Sequence, residues 1–177
     1  MPQNITNIAS DKELIIEIKA SSQNAFKILF NNYYKPLIDF CLYRRIDLDI
    51  SKDIVQEIFT YIWQSRDKLD PDKSIKSFLY KSVTNKIINY IKHSSSKTLQ
   101  LDESISPKPQ NNGLTIESKI DIYSAIEKLP EKLKSVFMLS RIEGFKYSEI
   151  AEISEISVKA VEKRMTKALK LLRKSIS

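Results

Sequence analysis

Lys146-Tyr-Ser-Glu-Ile-Ala-Glu-Ile-Ser-Glu-Ile-Ser-Val-Lys-Ala-Val-Glu-Lys-Arg-Met-Thr-Lys-Ala-Leu-Lys-Leu-Leu-Arg173 reads as a short helix, a tight connection and a longer basic helix. Together these are the parts of a helix-turn-helix. In the first helix Ile150 and Ile153 face inward, and the small Ala151 lets a second helix cross close above it. Ile156 plugs the corner between them. Ser157 is a good N-cap for the second helix, because its hydroxyl can accept an orphan N–H of the first turn. Val158, Val161, Met165, Leu169 and Leu172 then recur at three- and four-residue steps, the apolar stripe of an amphipathic helix.

The outer face of that helix carries Lys159, Lys163, Arg164, Lys167, Lys170, Arg173 and Lys174 against Glu162 alone. Such a helix suits a DNA major groove, with its N-terminal residues at base edges and its later cations on phosphates. The rival reading is a basic helix that merely meets solvent. The small alanine, the corner isoleucine and the capped basic helix, in that order, favour the groove.

The whole chain agrees with an anionic partner. Its 177 residues allow one domain or two small ones, and they carry a net charge of +7. The charge is uneven: residues 1–93 and 121–177 hold net +3 and +4, and residues 94–120 are neutral. A single cysteine, Cys41, sits in an apolar run and reads as a small core residue. One cysteine and one histidine, His93, leave no zinc site of the usual kind, and no cofactor is expected. No apolar run approaches membrane-spanning length, and the N-terminus lacks a signal-peptide core, so a cytoplasmic protein is expected. Only two glycines occur, Gly113 and Gly144, which excludes a glycine-rich phosphate loop and a dinucleotide fingerprint. They are also too few for a β-rich fold, and the chain reads as all-α.

Upstream of the helix-turn-helix the pattern is helical with breaks. Asp11 to Ala20 forms a short helix through Leu14, Ile15 and Ile18. Asn24 to about Arg45 is longer, and its apolar side runs from Phe26 through Leu29, Phe40 and Cys41 to Tyr43; Pro36 inside it implies a kink or a local break. Ser51 caps a third helix running to about Ser65, with Ile54, Val55, Ile58, Phe59, Tyr61 and Ile62 as its buried arc. Asp53, Gln56, Glu57, Thr60 and Gln64 cluster on the opposite side, for which solvent is the plain reading. The loop Arg66 to Lys73 has three aspartates but no glycine or terminal glutamate, so it is not an EF-hand. Ser74 caps a helix to Lys92 whose inward positions are Ile75, Leu79, Val83, Ile87 and Ile91. Its far side shows Lys81, Asn85, Asn89 and Lys92, and the helix holds four lysines and no acid, which suits nucleic acid. His93 to about Thr115, rich in serine, proline and asparagine, reads as a flexible linker. Ile116 to Leu129 is helical again; Pro130 opens a further helix, and Gly144 ends it in a left-handed cap.

Three stretches carry a resemblance. They are Asp53-Ile-Val-Gln-Glu-Ile-Phe-Thr-Tyr-Ile-Trp63, Phe78-Leu-Tyr-Lys-Ser-Val-Thr-Asn85, and Leu129-Pro-Glu-Lys-Leu-Lys-Ser-Val-Phe-Met-Leu-Ser-Arg141 with Glu143-Gly-Phe-Lys-Tyr-Ser-Glu-Ile-Ala151. In this order, around a low-complexity linker, the chain resembles a bacterial RNA polymerase sigma factor of the extracytoplasmic-function (ECF) group in its two-domain minimal form. The resemblance covers roughly residues 20–175. It implies a tail and short helix over 1–19, sigma region 2 over 20–93, a linker over 94–117, and sigma region 4 over 118–177. It also implies partners: core RNA polymerase, promoter DNA and an anti-sigma factor.

The resemblance assigns roles as well. Asp53, Gln56, Glu57 and Thr60 match the polar positions that dock on the largest polymerase subunit, which reverses the solvent reading of that face. Phe78, Lys81, Asn85, Asn89 and Lys92 lie on the element that engages the minus-ten region, and Arg66 to Lys73 matches the pocket loop that captures a flipped base. Ser157, Lys159, Ala160, Lys163, Arg164 and Lys167 would read the minus-thirty-five element. The chain departs from the family at the corner, where Ser154-Glu155 replaces a frequent Leu-Gly; a left-handed Glu155 would be strained. It also departs at Ala160 and Glu162 in the recognition helix. No catalytic residue is expected.

Two other classes fit less well. A stand-alone helix-turn-helix regulator is supported by the C-terminal half only, and a receiver domain would need strands that are absent from the pattern. An all-α enzyme would need a site; Asp47, Asp49 and Asp53 read instead as caps and surface charge.

Overall fold

A computed structural model describes residues 10–95 and 124–176. The tail before residue 10, the linker, and most of the helix expected from Ile116 lie outside the described residues. Among the described residues there are seven longer helices: α1 (Asp11–Lys19), α2 (Gln23–Tyr43), α3 (Leu48–Gln64), α4 (Ile75–Ser95), α5 (Glu131–Arg141), α6 (Tyr147–Ser154) and α7 (Val158–Ile176). A single 3-10 turn spans Arg66–Lys68, residues 124–127 are helical, and there is no strand among the described residues.

Local chemistry explains most of the boundaries. The Glu13 carboxylate accepts the Ser10 N–H at 2.7 Å and the Ser10 hydroxyl accepts the Glu13 N–H at 3.3 Å, a reciprocal cap that starts α1. The Ser22 hydroxyl accepts the Ala25 N–H at 3.2 Å and starts α2. Pro36 leaves α2 continuous from Gln23 to Tyr43, so the proline costs a hydrogen bond without ending the helix. The expectation at Ser51 needs correction. α3 begins one turn earlier, where the Asp47 carboxylate accepts the Asp49 N–H at 2.8 Å. Ser51 is fully buried and its hydroxyl donates to the Asp47 carbonyl at 2.6 Å, so it bonds back along the helix instead of capping it. The Ser74 hydroxyl accepts the Ser77 N–H at 3.1 Å, as expected for the start of α4. Gly144, at φ 73, takes the left-handed conformation that follows α5.

α1 to α4 pack around Leu14, Ile18, Leu29, Phe40, Ile62 and Leu79, and Phe59 meets Phe30 at 4.8 Å between ring centroids. Cys41 lies in this core, where burial pushes its thiol up to about 12. α5, α6 and α7 form the second unit, with Leu139, Ile150, Val161 and Met165 inside. A satellite cluster joins Ile126, Leu129 and Leu133 to Ala168 and Leu172.

The two units meet along a seam where α6 packs on α4. Phe145 is buried there, edge-on to Tyr80 at 5.1 Å, and Tyr80 meets Phe40 at 5.2 Å. The Lys76 ammonium stands 4.8 Å from the Phe145 ring centroid and donates to the Glu143 carbonyl at 2.5 Å. Burial and the neighbouring Glu143 carboxylate hold the Tyr80 phenol far above its ordinary range, so it stays protonated. A second tie runs from Arg44 to Glu131 at 2.5 Å and to the Ser135 hydroxyl at 3.1 Å.

Candidate nucleic-acid interface and docking face

The recognition helix is built from its corner outward. α6 ends at Glu155, which is left-handed at φ 53, and the Ile156 N–H donates back to the Ala151 carbonyl at 3.0 Å. The strain expected for a glutamate there is therefore present. The Ser157 hydroxyl accepts the Ala160 N–H at 3.2 Å and opens α7. Val161, Met165, Ala168 and Leu172 are buried, and Leu169 is half-buried. Val158 is the exception to the expected stripe. It is 42% exposed and is the first residue of α7.

This packing turns the basic side outward. Lys159, Lys163 and Lys167, four residues apart, form one exposed row, with Ala160 and Arg164 half-buried beside it. Ser157 is exposed at the N-terminal end. Five of the six residues expected to read DNA thus lie on one side of α7, and the sixth, Ser157, caps it. On α5 Lys134 is buried and pairs with Glu127 at 2.7 Å, so this lysine supports the fold and is withdrawn from the basic surface.

On α3 the residues Asp53, Gln56, Glu57 and Thr60 are all exposed and follow one another around consecutive turns. The Thr60 hydroxyl donates to the Gln56 carbonyl at 2.8 Å, and Glu57 pairs with Lys86 of α4. Asp47 and Asp49 serve as expected, one as the cap of α3 and the other paired with Lys52 at 3.0 Å. Among the described residues no group of acidic, histidine or cysteine side chains could hold a metal ion.

The α4 surface is narrower than its sequence suggests. Phe78 is 38% exposed, Lys81, Asn89 and Lys92 are exposed, and Asn85 is half-buried. Lys76 and Lys86, the other two lysines of this helix, are engaged with Glu143 and Glu57 from other elements. Ile91, expected to point inward, is 44% exposed, because the last turns of α4 run past the core. Tyr61, placed in the buried arc of α3, is also a miss: it is 55% exposed and its ring lies 6.5 Å from that of Phe78, at an interplanar angle of 20°. Its position one turn beyond Glu57 was the signal that could have placed it at the edge of the polar face.

The loop after α3 is pinned on both sides. The Arg66 guanidinium covers the Trp63 ring at 4.9 Å and donates to the Ser21 hydroxyl, and Lys19 donates to the Leu69 carbonyl at 2.5 Å. The Asp70 carboxylate accepts the Asp72 N–H at 3.0 Å. Beside this loop lies a cleft of about 600 Å³. Lys68, Lys73, Lys81 and Phe78 line it from the first unit, and Glu149 and Glu152 of α6 face them from the second.

Two family descriptions match the chain in sequence order: "Sigma-70 region 2" over residues 29–97 and "Sigma-70, region 4" over residues 119–172. The chain belongs to the sigma-70 family. Sigma factors are specificity subunits of RNA polymerase and not catalysts. Among curated relatives of this sigma-70 chain, the ECF RNA polymerase sigma factor SigW of Bacillus subtilis is 25% identical, over 93% of this chain and 96% of its own length. The ECF RNA polymerase sigma-E factor of Haemophilus influenzae is 23% identical, over 94% of this chain and 95% of its own. Among solved structures, the sigma factor RpoE of Bartonella quintana, in complex with the anti-sigma factor NepR, superimposes with a TM-score of 0.70 at 19% identity. That match covers 85% of this chain and 96% of the other, and it carries the sigma-70 fold.

Proposed function

We propose that this sigma factor recruits core RNA polymerase to promoters through two surfaces on separate helical units. The first is the α3 face of Asp53, Gln56, Glu57 and Thr60, which docks on the polymerase. Glu57 already holds Lys86, so docking there exchanges one charged partner for another. The second is the DNA surface, divided between the α4 side with its loop, over Phe78, Lys81, Asn85, Asn89 and Lys92, and the α7 row from Ser157 to Lys167. The α4 side meets the minus-ten region, and the loop Arg66 to Lys73 takes a flipped base. The α7 row enters the major groove of the minus-thirty-five element. The boundaries we assign are 20–93 for region 2, 94–117 for the connection and 118–177 for region 4.

The observation that carries the proposal is the ordered pair of sigma-70 matches on a chain whose α7 cations form one exposed row. Each unit is small, so each alone binds weakly. Binding of polymerase to the first surface raises the effective concentration of the second at the promoter. No helix among the described residues is long and apolar enough to cross a membrane, and we place the protein in the cytoplasm with the polymerase. An anti-sigma factor that covers these surfaces is the partner we infer for the silent state, as the solved complex of the Bartonella relative suggests.

The test is co-purification with core polymerase followed by run-off transcription on genomic fragments. Asp53→Ala with Gln56→Ala abolishes the pull-down and leaves the helical content intact; retained pull-down contradicts the docking assignment. Lys163→Ala reduces the salt slope of holoenzyme–promoter binding by about 0.9, the share of one phosphate contact. An unchanged slope contradicts the groove placement.

A further inference from the structure

α1 bears none of the docking or DNA-reading residues, yet it holds the loop that follows α3. The half-buried Lys19, in the last turn of α1, donates from its ammonium to the Asp67 carbonyl at 3.2 Å and to the Leu69 carbonyl at 2.5 Å. Both carbonyls lie at the C-terminal end of the 3-10 turn Arg66–Lys68, where a helix leaves acceptors without an intrahelical donor. An ammonium satisfies them with charge-assisted bonds, which are stronger than neutral ones. Between the two held carbonyls stands Lys68, and Lys68, Leu69 and Asp70 all line the cleft beside Phe78. One side chain of α1 thus fixes the backbone on both sides of a residue that faces the cleft. The connection between α1 and α2 adds a second hold. Ser21 takes a left-handed φ of 66 there, and its hydroxyl accepts the Arg66 Nε–H at 3.0 Å. A glycine would relieve that strain and lose the acceptor. The Lys12–Asp72 pair reaches the same loop, but both of its ends are mostly exposed and it adds little.

We propose that Lys19 is a positioning residue for base capture: it fixes the loop backbone around Lys68 and thereby sets which base of the minus-ten region the loop accepts. The inference rests on the reading of Arg66 to Lys73 as the base-capturing loop and adds to it a residue from outside that loop. Lys19 touches no base itself. A flipped base is selected by the shape and polar groups of its pocket, so a loop free to shift accepts a wrong base nearly as well as the right one.

The experiment uses holoenzyme and a promoter identified by run-off transcription. Open-complex formation is measured on templates that carry each of the four bases at successive non-template positions of the minus-ten region. The wild-type chain prefers the right base at the captured position by about fivefold to about 150-fold, the range of one good base contact. Lys19→Met and Lys19→Gln each lower that preference by about fivefold, the low end of the same range, and leave the preferences at the minus-thirty-five element and the affinity for core unchanged. The methionine keeps the apolar stem and the glutamine keeps a polar end on a shorter stem, so a loss shared by both reports the two bonds and not the packing. A weakened fold would lower all templates together and leave the preference intact. A preference untouched by both variants overturns the positioning role. So does an equal fall on all four bases with a shallower salt dependence, which would make Lys19 a phosphate contact. Absence of any base preference in the minus-ten region with the wild-type chain defeats the base-capture reading itself and is seen before any variant is compared.

Discussion

Phe145→Ala tests whether the two units share one core. Phe145 is 6% exposed and touches Tyr80 edge-on while Lys76 sits over its face. Burying a phenylalanine side chain is worth about 1.5–3 kcal/mol. The edge-to-face pair adds about 0.5–1.5 kcal/mol, and the ammonium over the ring adds about 0.5–1 kcal/mol. Truncation should therefore cost about 3–5 kcal/mol, the usual range for a core phenylalanine. Phe145→Leu keeps most of the apolar volume and should cost about 1–2 kcal/mol. The chain carries a natural reporter, because its single tryptophan, Trp63, lies on α3 in the other unit. Urea unfolding is followed by Trp63 fluorescence and by far-ultraviolet circular dichroism. With a slope of about 1–3 kcal/mol per molar urea, the alanine variant should move the Trp63 midpoint down by about 1–5 M. If the Trp63 transition stays where it is while the dichroism splits in two, the halves unfold independently and the reasoning fails.

Glu155→Gly removes the strain of a left-handed glutamate and should raise stability by about 0.5–1 kcal/mol in urea titration; a loss would mean that the side chain supports the corner. The Glu13 carboxyl is held below its ordinary 4.5 by the Ser10 backbone N–H and hydroxyl. A lowered folded value means that its contribution is present above 4.5 and fades as pH falls through the folded value. Melting curves of wild type and Glu13→Ala should therefore differ at neutral pH and converge in acid, and a constant gap would rule out the cap as the cause. Cys41 should ignore a disulfide reagent in the native chain and react once the chain is unfolded, because burial holds its thiol at about 12.

Helix content and the corner of the helix-turn-helix were legible because both are written in local chemistry. The three- and four-residue spacing of Val161, Met165 and Leu172, the Ser157 cap and the awkward Glu155 all follow from neighbours in the chain. What the spacing could not say is which residue at the edge of a stripe meets the core. Tyr61, Val158 and Ile91 each sit at a stripe margin or a helix end, and tertiary packing left them outside. The same limit applies to charge. Lys76, Lys86 and Lys134 look like surface cations, but each is claimed by an acid on another element, and those partnerships need distances that no helical repeat contains. Ser51 misled for a different reason: a serine near a helix start can cap it or bond backward, and the better acceptor at Asp47 decided the matter.

Ser21, Arg45 and Glu155 are the described residues other than glycine with positive φ, and each lies in the short connection between consecutive helices. Connections this short bring neighbouring helices together at small loop-closure cost. Hairpins of helices can then dock as soon as each pair has left the ribosome, and the contacts between the units, α6 on α4 and Glu131 on Arg44, close last. A polypeptide arranged in this way assembles its parts quickly and joins them last.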